Sequence, residues 1–285
     1  MIEVRPLRME DRDEVVAISK QVWDDDYIGT VYDKWVADTA GLFVCVTYQG
    51  AIAGFAKVSM HTNDDAWLEG LRVDPHKRGL GLGKRLTRHC IEACLSLGIA
   101  NTRLSTYIGN HESIGIIESH GFKRTAEFKA LYLPIKQSEA TPSFCSVMSD
   151  ANKVEAALAQ ETLDRCKGYA SFDFTFEKIT SRLIEELAKE GAVHGVCVDG
   201  HVKGMMFAST RHSKGAALFL SYIQGPGHYA ELIDTAIAHA ERLGVNEVIT
   251  MCPSDDMLRE ALVEKGFKAW DDHELNVFVY EYMHP

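Results

Sequence analysis

The sequence predicts an α/β protein built from two similar halves, and three observations support this fold class. The chain has 285 residues, enough for two domains. Its composition, 46% hydrophobic and 25% charged, is typical of a globular protein. A strand–turn–strand pattern occurs at 42–58 and again at 192–208, and each copy is followed in the same order by a strand, a helix, a β-rich stretch and a second helix.

Both halves begin this repeat with a predicted β-hairpin. The turns fall at Gln49-Gly50 and Asp199-Gly200, and dipeptides of this kind favour tight hairpin turns. In each hairpin a further glycine, Gly54 or Gly204, follows four residues after the turn glycine. The shared spacing indicates that the two halves fold alike.

The elements after the hairpins also correspond. The strands are predicted at 67–73 and 218–223, the helices end at Gly98 and Gly244, the β-rich stretches lie at 102–107 and 247–252, and the second helices close on Gly-Phe-Lys at 121–123 and 266–268. A polar segment at 136–142 separates the halves and is the predicted linker. We therefore expect one domain at 1–135 and another at 143–285.

Composition excludes several classes of function. The net charge of −11 argues against a nucleic-acid partner. Seven scattered cysteines predict free thiols in a reducing cytoplasm rather than disulfides, and no metal site is expected from them. No apolar run approaches the roughly 18 residues of a membrane span, so no membrane partner is expected. A homodimer stays open.

A glycine-rich basic loop lies between the predicted strand and helix of the first half. Residues 73–84 read Val-Asp-Pro-His-Lys-Arg-Gly-Leu-Gly-Leu-Gly-Lys, and 75–89 contain five Lys or Arg but no Asp or Glu. Glycines admit a close backbone approach, and a helix start adds favourable N–H groups, so an anionic phosphate ligand is expected. A P-loop is excluded because Lys84 lacks a following Ser or Thr, and the Rossmann glycine spacing is not met.

The pattern Arg78-x-x-Gly81-x-Gly83 after Val73-Asp74-Pro75 resembles the acyl-CoA pyrophosphate loop of the GNAT acetyltransferase superfamily. The resemblance extends over about residues 2–130 and includes Ile2-Glu3-Val4-Arg5, Asp11, Asn110 and Gly121-Phe122. It implies two GNAT-like α/β (α+β) domains, each a mixed, mostly antiparallel sheet flanked by helices, with acetyl-CoA as co-substrate.

The same resemblance implies which residues bind acetyl-CoA, by backbone groups near the end of the strand and in the loop. These residues are Leu71, Arg72, Val73, Arg78, Gly79, Leu80, Gly81, Leu82, Gly83, Lys84 and Asn110. Asn110 has an alternative role, because Asn commonly begins helices as an N-cap.

The second half lacks the phosphate-binding features. The corresponding segment reads Gln-Gly-Pro-Gly-His-Tyr at 224–229, without the basic run. Tyr229 stands where the last glycine is expected, and Pro226 removes one N–H donor. This predicts a degenerate GNAT-like domain that closes the acceptor side, forms an oligomer interface or acts only as a structural repeat.

Glu69 is the predicted general base. In a regular strand Trp67, Glu69, Leu71 and Val73 share one face, and burial of a carboxylate on that face would raise its pKa and suit it to accept a proton. The alternative is an edge carboxylate that points to solvent or pairs with Arg72 or Arg103.

No general acid is assigned. GNAT enzymes often carry a Tyr seven residues after the Asn, and here that position is Ile117. His120, Ser113 and Tyr107 are the nearby alternatives, although His120 could simply cap the end of its helix.

The acceptor is expected to bind at 22–35, the segment after the first helix, in line with the family. Trp23, Asp26, Tyr27 and Tyr32 are the predicted substrate-binding residues, because carboxylates and aromatic rings suit a cationic amine. An exposed acidic loop whose aromatic side chains pack inward is the alternative. The segment also resembles that of GNAT proteins that acetylate free amino acids such as histidine.

These features together predict an N-acetyltransferase that transfers the acetyl group of acetyl-CoA to a primary amine of a small molecule, such as an amino acid or a polyamine. No nucleophile elbow occurs, so direct attack in a ternary complex is expected. A non-catalytic acyl-CoA sensor is the alternative, followed by a pure interaction module. The sequence does not determine the acceptor, the acyl chain length or the oligomeric state.

Overall fold

The computed structural model describes residues 2–136, 145–213, 217–269 and 275–283. The chain forms two compact units, the first made of residues 1–124 with 279–285 and the second of residues 125–278. No helix in these described segments has both the length and the apolar character that a membrane span requires.

Strands and helices are interspersed along the chain. In order, the first part contains β1 (Ile2–Pro6), α1 (Arg12–Val22), α2 (Ile28–Ala37), β2 (Leu42–Tyr48), β3 (Ala51–Thr62), β4 (Asp65–Val73), α3 (Leu82–Ser96), β5 (Asn101–Tyr107), α4 (His111–Ser119) and β6 (Lys123–Pro134). The remainder contains β7 (Ser146–Val147), α5 (Ala151–Ala157), α6 (Gln160–Arg165), β8 (Tyr169–Phe172), β9 (Thr175–Lys178), α7 (Ser181–Lys189), β10 (Val193–Val198), β11 (His201–Ser209), β12 (Ala217–Gln224), α8 (Tyr229–Leu243), β13 (Glu247–Cys252), α9 (Asp256–Glu264), β14 (Lys268–Ala269) and β15 (Asn276–Met283).

The first unit is a mixed sheet with helices on both faces. Its strand order is β1-β2-β3-β4-β5 followed by the 279–283 part of β15. The pairs from β1 to β4 are antiparallel, and β4 and β5 are parallel. Valines and alanines of β2 and β3 pack with Leu82, Leu86 and Cys90 of α3 on one face. On the other face, Phe43 and Phe55 pack with residues of α1 and α2.

The second unit repeats this arrangement. Its sheet has the order β6-β13-β12-β11-β10-β7, in which only the β12–β13 pair is parallel, and α8 packs on one face. The prediction of a mixed, mostly antiparallel sheet flanked by helices is confirmed in both units.

Both predicted hairpin turns are present. Gln49 and Gly50 have φ values of 53° and 89°, and Asp199 and Gly200 have values of 51° and 77°. Two consecutive residues with positive φ are the mark of a type I′ turn, which matches the twist of the flanking strands.

The compact units differ from the predicted domains at 1–135 and 143–285. The 129–134 part of β6 pairs with β13 inside the second unit, and the 279–283 part of β15 lies beside β5 in the first unit. Each unit therefore takes a strand from the other half of the chain. Within the predicted linker 136–142, residues 137–142 lie outside the described residues.

Parallel strands β4 and β5 separate partway along the first sheet. Their pairing is confined to Asp65–Trp67 of β4 and Asn101–Arg103 of β5. Beyond these pairs the strands diverge and leave a fork, whose β4 arm runs into the glycine-rich loop.

A β-bulge at Gly70 reverses the side-chain alternation in β4. Phe55 pairs with Arg72 while Lys57 pairs with Glu69, so β4 has one residue more than β3 between these pairs. Gly70 takes up the bulge with a φ of 65°, a conformation that favours glycine. The ring of Trp35 also packs so closely that an added Cβ at Gly70 would lie 2.8 Å from it.

The expectation that Trp67, Glu69, Leu71 and Val73 share one face is wrong because of this bulge. Trp67 and Glu69 lie together on the face covered by α1 and α2. Leu71 and Val73 pack against the α3 core on the opposite face. The strand thus presents a carboxylate to one side of the fork and apolar side chains to the other.

Candidate active site

A cavity of about 120 Å³ occupies the fork of the first unit. Residues of β3, β4, β5, α3 and α4 line it, and its charged members are Lys57, Glu69 and Arg72. Hydroxyl, amide and thiol groups complete the polar lining, from Thr87, Cys90, Ser105, Thr106, Asn110 and Ser113. Because the lining comes from both faces of the sheet, the cavity connects the α3 side with the α1–α2 side.

Glu69 lies at this cavity two residues beyond the last β4–β5 pair. Its carboxylate is half-buried and accepts a hydrogen bond of 2.5 Å from the Ser59 hydroxyl. Lys57 stands directly opposite on β3, and its buried ammonium forms an ion pair with Asp38. Glu69 therefore has the placement that a proton acceptor for an incoming amine needs.

The glycine-rich loop runs from the end of β4 to α3 with its backbone exposed. Gly79 and Gly81 have φ values of 79° and 74°, and a Cβ added at either would meet no atom within 4 Å. Gly81 is the N-cap of α3, and no side chain caps the helix there. The first N–H groups of a helix have no partner within it, so they remain available to an anion.

Gly83 serves a different purpose from the other two glycines. An added Cβ there would lie 3.0 Å from Ile116 of α4 and 3.6 Å from Val73 of β4. Gly83 thus permits close packing of α3, whereas Gly79 and Gly81 leave room for a ligand.

Asp74 and Lys77 hold the loop in shape. The Asp74 carboxylate accepts a hydrogen bond of 2.9 Å from the His76 N–H and lies 3.1 Å from the Lys77 ammonium. These contacts, despite burial, hold the pKa of Asp74 below its usual value. Arg78 and Lys84 remain exposed, with the Arg78 guanidinium 3.5 Å from Glu112. An open, basic loop at a helix start fits the pyrophosphate of acetyl-CoA.

Asn110 takes the N-cap role that the sequence left open and also lies at the cavity. Its side-chain oxygen accepts a hydrogen bond of 3.2 Å from the Ser113 N–H and caps α4, and the residue also lines the cavity. Ile117, at the position of the family tyrosine, is buried in the cavity wall.

The three candidate general acids lie in different environments. The His120 ring lies 2.8 Å from the Ile116 carbonyl and ends α4, as the capping alternative predicted. Tyr107 packs edge-on against Trp23. Only Ser113 of these three residues lines the cavity.

The predicted acceptor-binding residues occupy different environments. Trp23 is half exposed, and Tyr27 packs against Trp35. Tyr32 does not line the cavity, because it is fully buried and its hydroxyl donates a hydrogen bond of 2.7 Å to the Arg8 carbonyl. Asp26 is already neutralised by two hydrogen bonds from Arg72, of 2.7 and 3.3 Å. The prediction that Asp26 and Tyr32 bind the amine directly therefore does not agree with their contacts.

The second unit has a corresponding fork that is almost filled. Strands β12 and β13 pair only at Ala217–Phe219 and Glu247–Ile249, and the cavity beyond measures about 20 Å³. Tyr229 is buried near it and donates a hydrogen bond of 3.0 Å to Asp255. At Gly225 an added Cβ would lie 2.4 Å from the Lys203 carbonyl, so the start of this loop is closed, whereas at Gly227 an added Cβ would meet no atom within 4 Å.

Lys57 lines the cavity although no sequence motif points to it. The sequence contains one hint of this role, because the lysine interrupts an otherwise apolar predicted strand. In the structure its side chain is only 1% exposed. A buried ammonium needs a partner, and Asp38 supplies it from the end of α2. An added Cβ at Gly41 would collide with both groups, so Gly41 is part of the same arrangement.

Known proteins share this fold and this site region. Residues 5–122 match the acetyltransferase (GNAT) family. A GCN5-related N-acetyltransferase from Sphaerobacter thermophilus superposes with a TM-score of 0.68 at 16% identity, covering 99% of this chain and 95% of the other. That likeness shows the fold.

Two curated relatives match parts of the chain. A histidine N-acetyltransferase from Scomber australasicus is 35% identical over 85 residues, which are 29% of this chain and 25% of the relative. A peptidyl-lysine N-acetyltransferase from Salmonella typhimurium is 28% identical over 134 residues, which are 44% of this chain and 86% of the relative. The chain thus spans about a quarter of the length of the histidine N-acetyltransferases that it matches.

The family match covers the fork, the open glycine loop and the start of α3, where the residues present fit an acyl-CoA pyrophosphate. Residues 5–122 of this chain are therefore similar to the acetyltransferase (GNAT) family, whose enzymes use acetyl-CoA as co-substrate.

Proposed function

We propose that the protein transfers the acetyl group of acetyl-CoA to the primary amine of a small molecule. The observation that carries this proposal is the fork of the first unit, where Glu69 faces the cavity and the same strand leads into the open loop at Gly79 and Gly81. One strand thereby connects a phosphate-binding loop with a proton acceptor.

Each part of the fork has a role in this reaction. The loop N–H groups and the first turn of α3, with Arg78 and Lys84 beside them, hold the pyrophosphate. The diverging part of β4 positions the thioester. The amine nitrogen forms a bond to the carbonyl carbon, the carbon–sulfur bond breaks, and the thiolate leaves. Glu69 accepts the amine proton directly or through one water.

Direct transfer in a ternary complex is favoured over a covalent acyl-enzyme. Cys90 is the thiol in the cavity wall, and burial raises its pKa to about 12. A thiol with that pKa is protonated at neutral pH and is a poor nucleophile, since the thiolate is the reactive form.

Small amines are the class of acceptor that we propose to test first. The relative from Scomber australasicus acts on histidine according to its name, which favours free amino acids, whereas the one from Salmonella typhimurium acts on peptidyl-lysine. Polyamines belong to the same comparison because the segment 22–35 is acidic.

The second unit is proposed to support the first rather than to bind acetyl-CoA. Its filled fork and its closed turn at Gly225 leave little space for an acyl-CoA. A role in closing the acceptor side or in forming a homodimer is compatible with this. The seven free cysteines favour a reducing compartment such as the cytoplasm.

The test is free-thiol release from acetyl-CoA across amino acids, polyamines, aminoglycosides and short peptides, with calorimetric titration of acetyl-CoA alongside. Turnover with one class of small amine is expected and would identify the acceptor. Turnover only with peptides would contradict the small-molecule assignment.

A non-catalytic acyl-CoA sensor is the second candidate, and Ile117 favours it, because it removes the tyrosine that would protonate the leaving thiolate. A sensor would bind acetyl-CoA tightly and release no thiol with any amine tested. The free-thiol assay separates the two functions, since only an enzyme turns over.

A further inference from the structure

The segment between α1 and α2 is joined to β4 by a buried ion pair. The two carboxylate oxygens of Asp26 accept hydrogen bonds of 2.7 and 3.3 Å from Nε and Nη2 of Arg72. The Asp26 side chain is only 1% exposed and that of Arg72 17%. A two-point arginine–carboxylate contact fixes both distance and orientation.

The same segment also reaches the other arm of the fork. The rings of Trp23 and Tyr107 pack edge to face at the end of β5, with 6.3 Å between the ring centroids. Tyr27 lies under the Arg72 guanidinium at 5.9 Å and against Trp35 at 5.9 Å. We name residues 23–27 the acceptor loop. It is attached to the β4 arm at one end and to the β5 arm at the other, on the face where Glu69 lies.

We propose that the Asp26–Arg72 pair is a clamp that holds the acceptor loop across the fork and thereby sets the affinity for the amine. Asp26 is then a positioning residue and not the group that binds the ammonium. This inference rests on the proposed function, because it assigns the loop to the acceptor of that reaction.

The contacts favour a clamp over an ammonium site. An ammonium-binding carboxylate needs free oxygen positions, but Oδ1 and Oδ2 of Asp26 both accept from Arg72, and Oδ1 also lies 3.4 Å from the Ile28 N–H. Asp24 and Asp25, in contrast, are exposed on the same loop. Arg72 further donates to the Leu71 carbonyl at 3.1 Å, which fastens the guanidinium to the β4 arm next to the bulge.

The clamp predicts a specific change in the kinetics of the protein. If Asp26→Asn lowers the fraction of molecules with the loop in place to about one tenth, the KM for the amine rises about tenfold. The value of kcat and the calorimetric Kd for acetyl-CoA should change less than about twofold, because the glycine loop and α3 are untouched. Arg72→Gln should raise the amine KM to the same extent, and the double variant Asp26→Asn/Arg72→Gln should be no worse than either single variant.

Asp33→Asn is the matched control. It removes another Arg–Asp pair of the α1–α2 region, Arg12–Asp33 at 3.2 Å, but on an exposed surface. It should leave the amine KM unchanged.

Hydrogen exchange gives a readout that needs no activity. The N–H groups of Asp26 and Ile28, bonded to the Trp23 carbonyl and the Asp26 side chain, should exchange faster in Asp26→Asn and Arg72→Gln than in the wild type and in Asp33→Asn. If exchange is unchanged, the clamp is refuted whether or not the protein is an enzyme.

Two further results would overturn the inference. A raised KM in Asp26→Asn with an unchanged or lowered KM in Arg72→Gln would show that Asp26 binds the amine itself. An equal loss of acetyl-CoA affinity in Asp26→Asn would show a general structural role. Absence of thiol release in the wild type would instead refute the proposed function and leave the exchange experiment as the test of the clamp.

Discussion

Glu69 is the residue on which the proposed chemistry depends most directly. It shares its face of β4 with Trp67, opposite the buried Lys57, and its carboxylate is held by Ser59. The sequence indicated Glu69 as the base on the assumption of a regular strand. The strand is not regular, but its bulge at Gly70 follows Glu69, so the bulge does not turn Glu69 away from the cavity.

Replacing Glu69 by Gln tests its role as base. Gln keeps the side-chain oxygen that accepts from Ser59, so the fold should hold, but it cannot take a proton. We expect kcat/KM to fall by about 10² to 10⁴ at neutral pH with the acetyl-CoA Kd unchanged. Glu3→Gln, at an exposed position of β1, is the control. Full activity of Glu69→Gln at every pH would remove the base assignment while leaving the family assignment intact.

His194 makes the second unit sensitive to acid. It is buried on the α8 face of β10 beside His239, and its Nε2 has no hydrogen-bond partner among the described residues. Burial, followed by the charges of His239 and Arg242, lowers the pKa of His194 to about 4. The folded protein therefore keeps this ring neutral at pH values where the unfolded chain, with a pKa of 6.5, is already protonated.

The sign of the resulting pH dependence follows from proton uptake. Between pH 6.5 and about 4 the unfolded state binds more protons at His194, so the free energy of unfolding falls as the pH falls, by up to about 3 kcal/mol. In His194→Leu this contribution should vanish, and urea unfolding measured from pH 7 to pH 4 should show a shallower loss than the wild type. His201→Leu, at an exposed position, should retain the wild-type slope. Parallel slopes in all three proteins would contradict the prediction.

At the scale of elements, the glycine loop and α3 together form the proposed anion site. The glycine pattern and the basic run predicted this site from sequence alone, because positive φ and bare N–H groups are properties of glycine itself. The bulge in β4 was not predictable in the same way. Gly70 is one glycine in an otherwise regular strand, and only its pairing with β3 and the packing of Trp35 show what it does.

The substitution Gly81→Val should weaken the binding of acetyl-CoA by the loop. Gly81 has a φ of 74°, so a β-branched side chain strains the backbone and also occupies the open space beside the loop N–H groups. We expect the acetyl-CoA affinity to fall by at least about tenfold, which corresponds to about 1.4 kcal/mol.

Gly98→Val provides a matched control for this prediction. Gly98 has a φ of 72° and equally open surroundings, but it lies at the far end of α3. It should lose a similar amount of stability and keep its acetyl-CoA affinity in calorimetric titration. Equal affinities of the two variants would mean that the loop does not bind the co-substrate.

At the scale of the whole molecule, the exchange of strands means that the two units do not coincide with the two halves of the sequence. The first unit is completed by the C-terminal strand, in which Val279 and Tyr280 are buried. The Tyr280 hydroxyl donates a hydrogen bond of 3.0 Å to Glu118 of α4, and burial followed by this contact raises the pKa of Tyr280 to about 12.

Removal of residues 279–285 should therefore damage the first unit, although those residues are distant in sequence. The loss of two buried side chains and of a strand beside β5 should lower the free energy of unfolding by about 5 kcal/mol and abolish acetyl-CoA binding. Thermal unfolding and titration measure both effects. Intact acetyl-CoA binding after the deletion would show that the strand is dispensable.

Local patterns alone determined much of this protein. The hairpin turns at 49–50 and 199–200, the repeat and the open glycine loop follow from glycine conformations and spacing, which act over a few residues. Contacts between distant segments determine four other features: the face to which Leu71 and Val73 point, the neutralisation of Asp26 by Arg72, the burial of Tyr32 and the strand exchange. Only the tertiary structure decides these features, because a side chain's partner and its face of the sheet depend on which strands and helices fold against it.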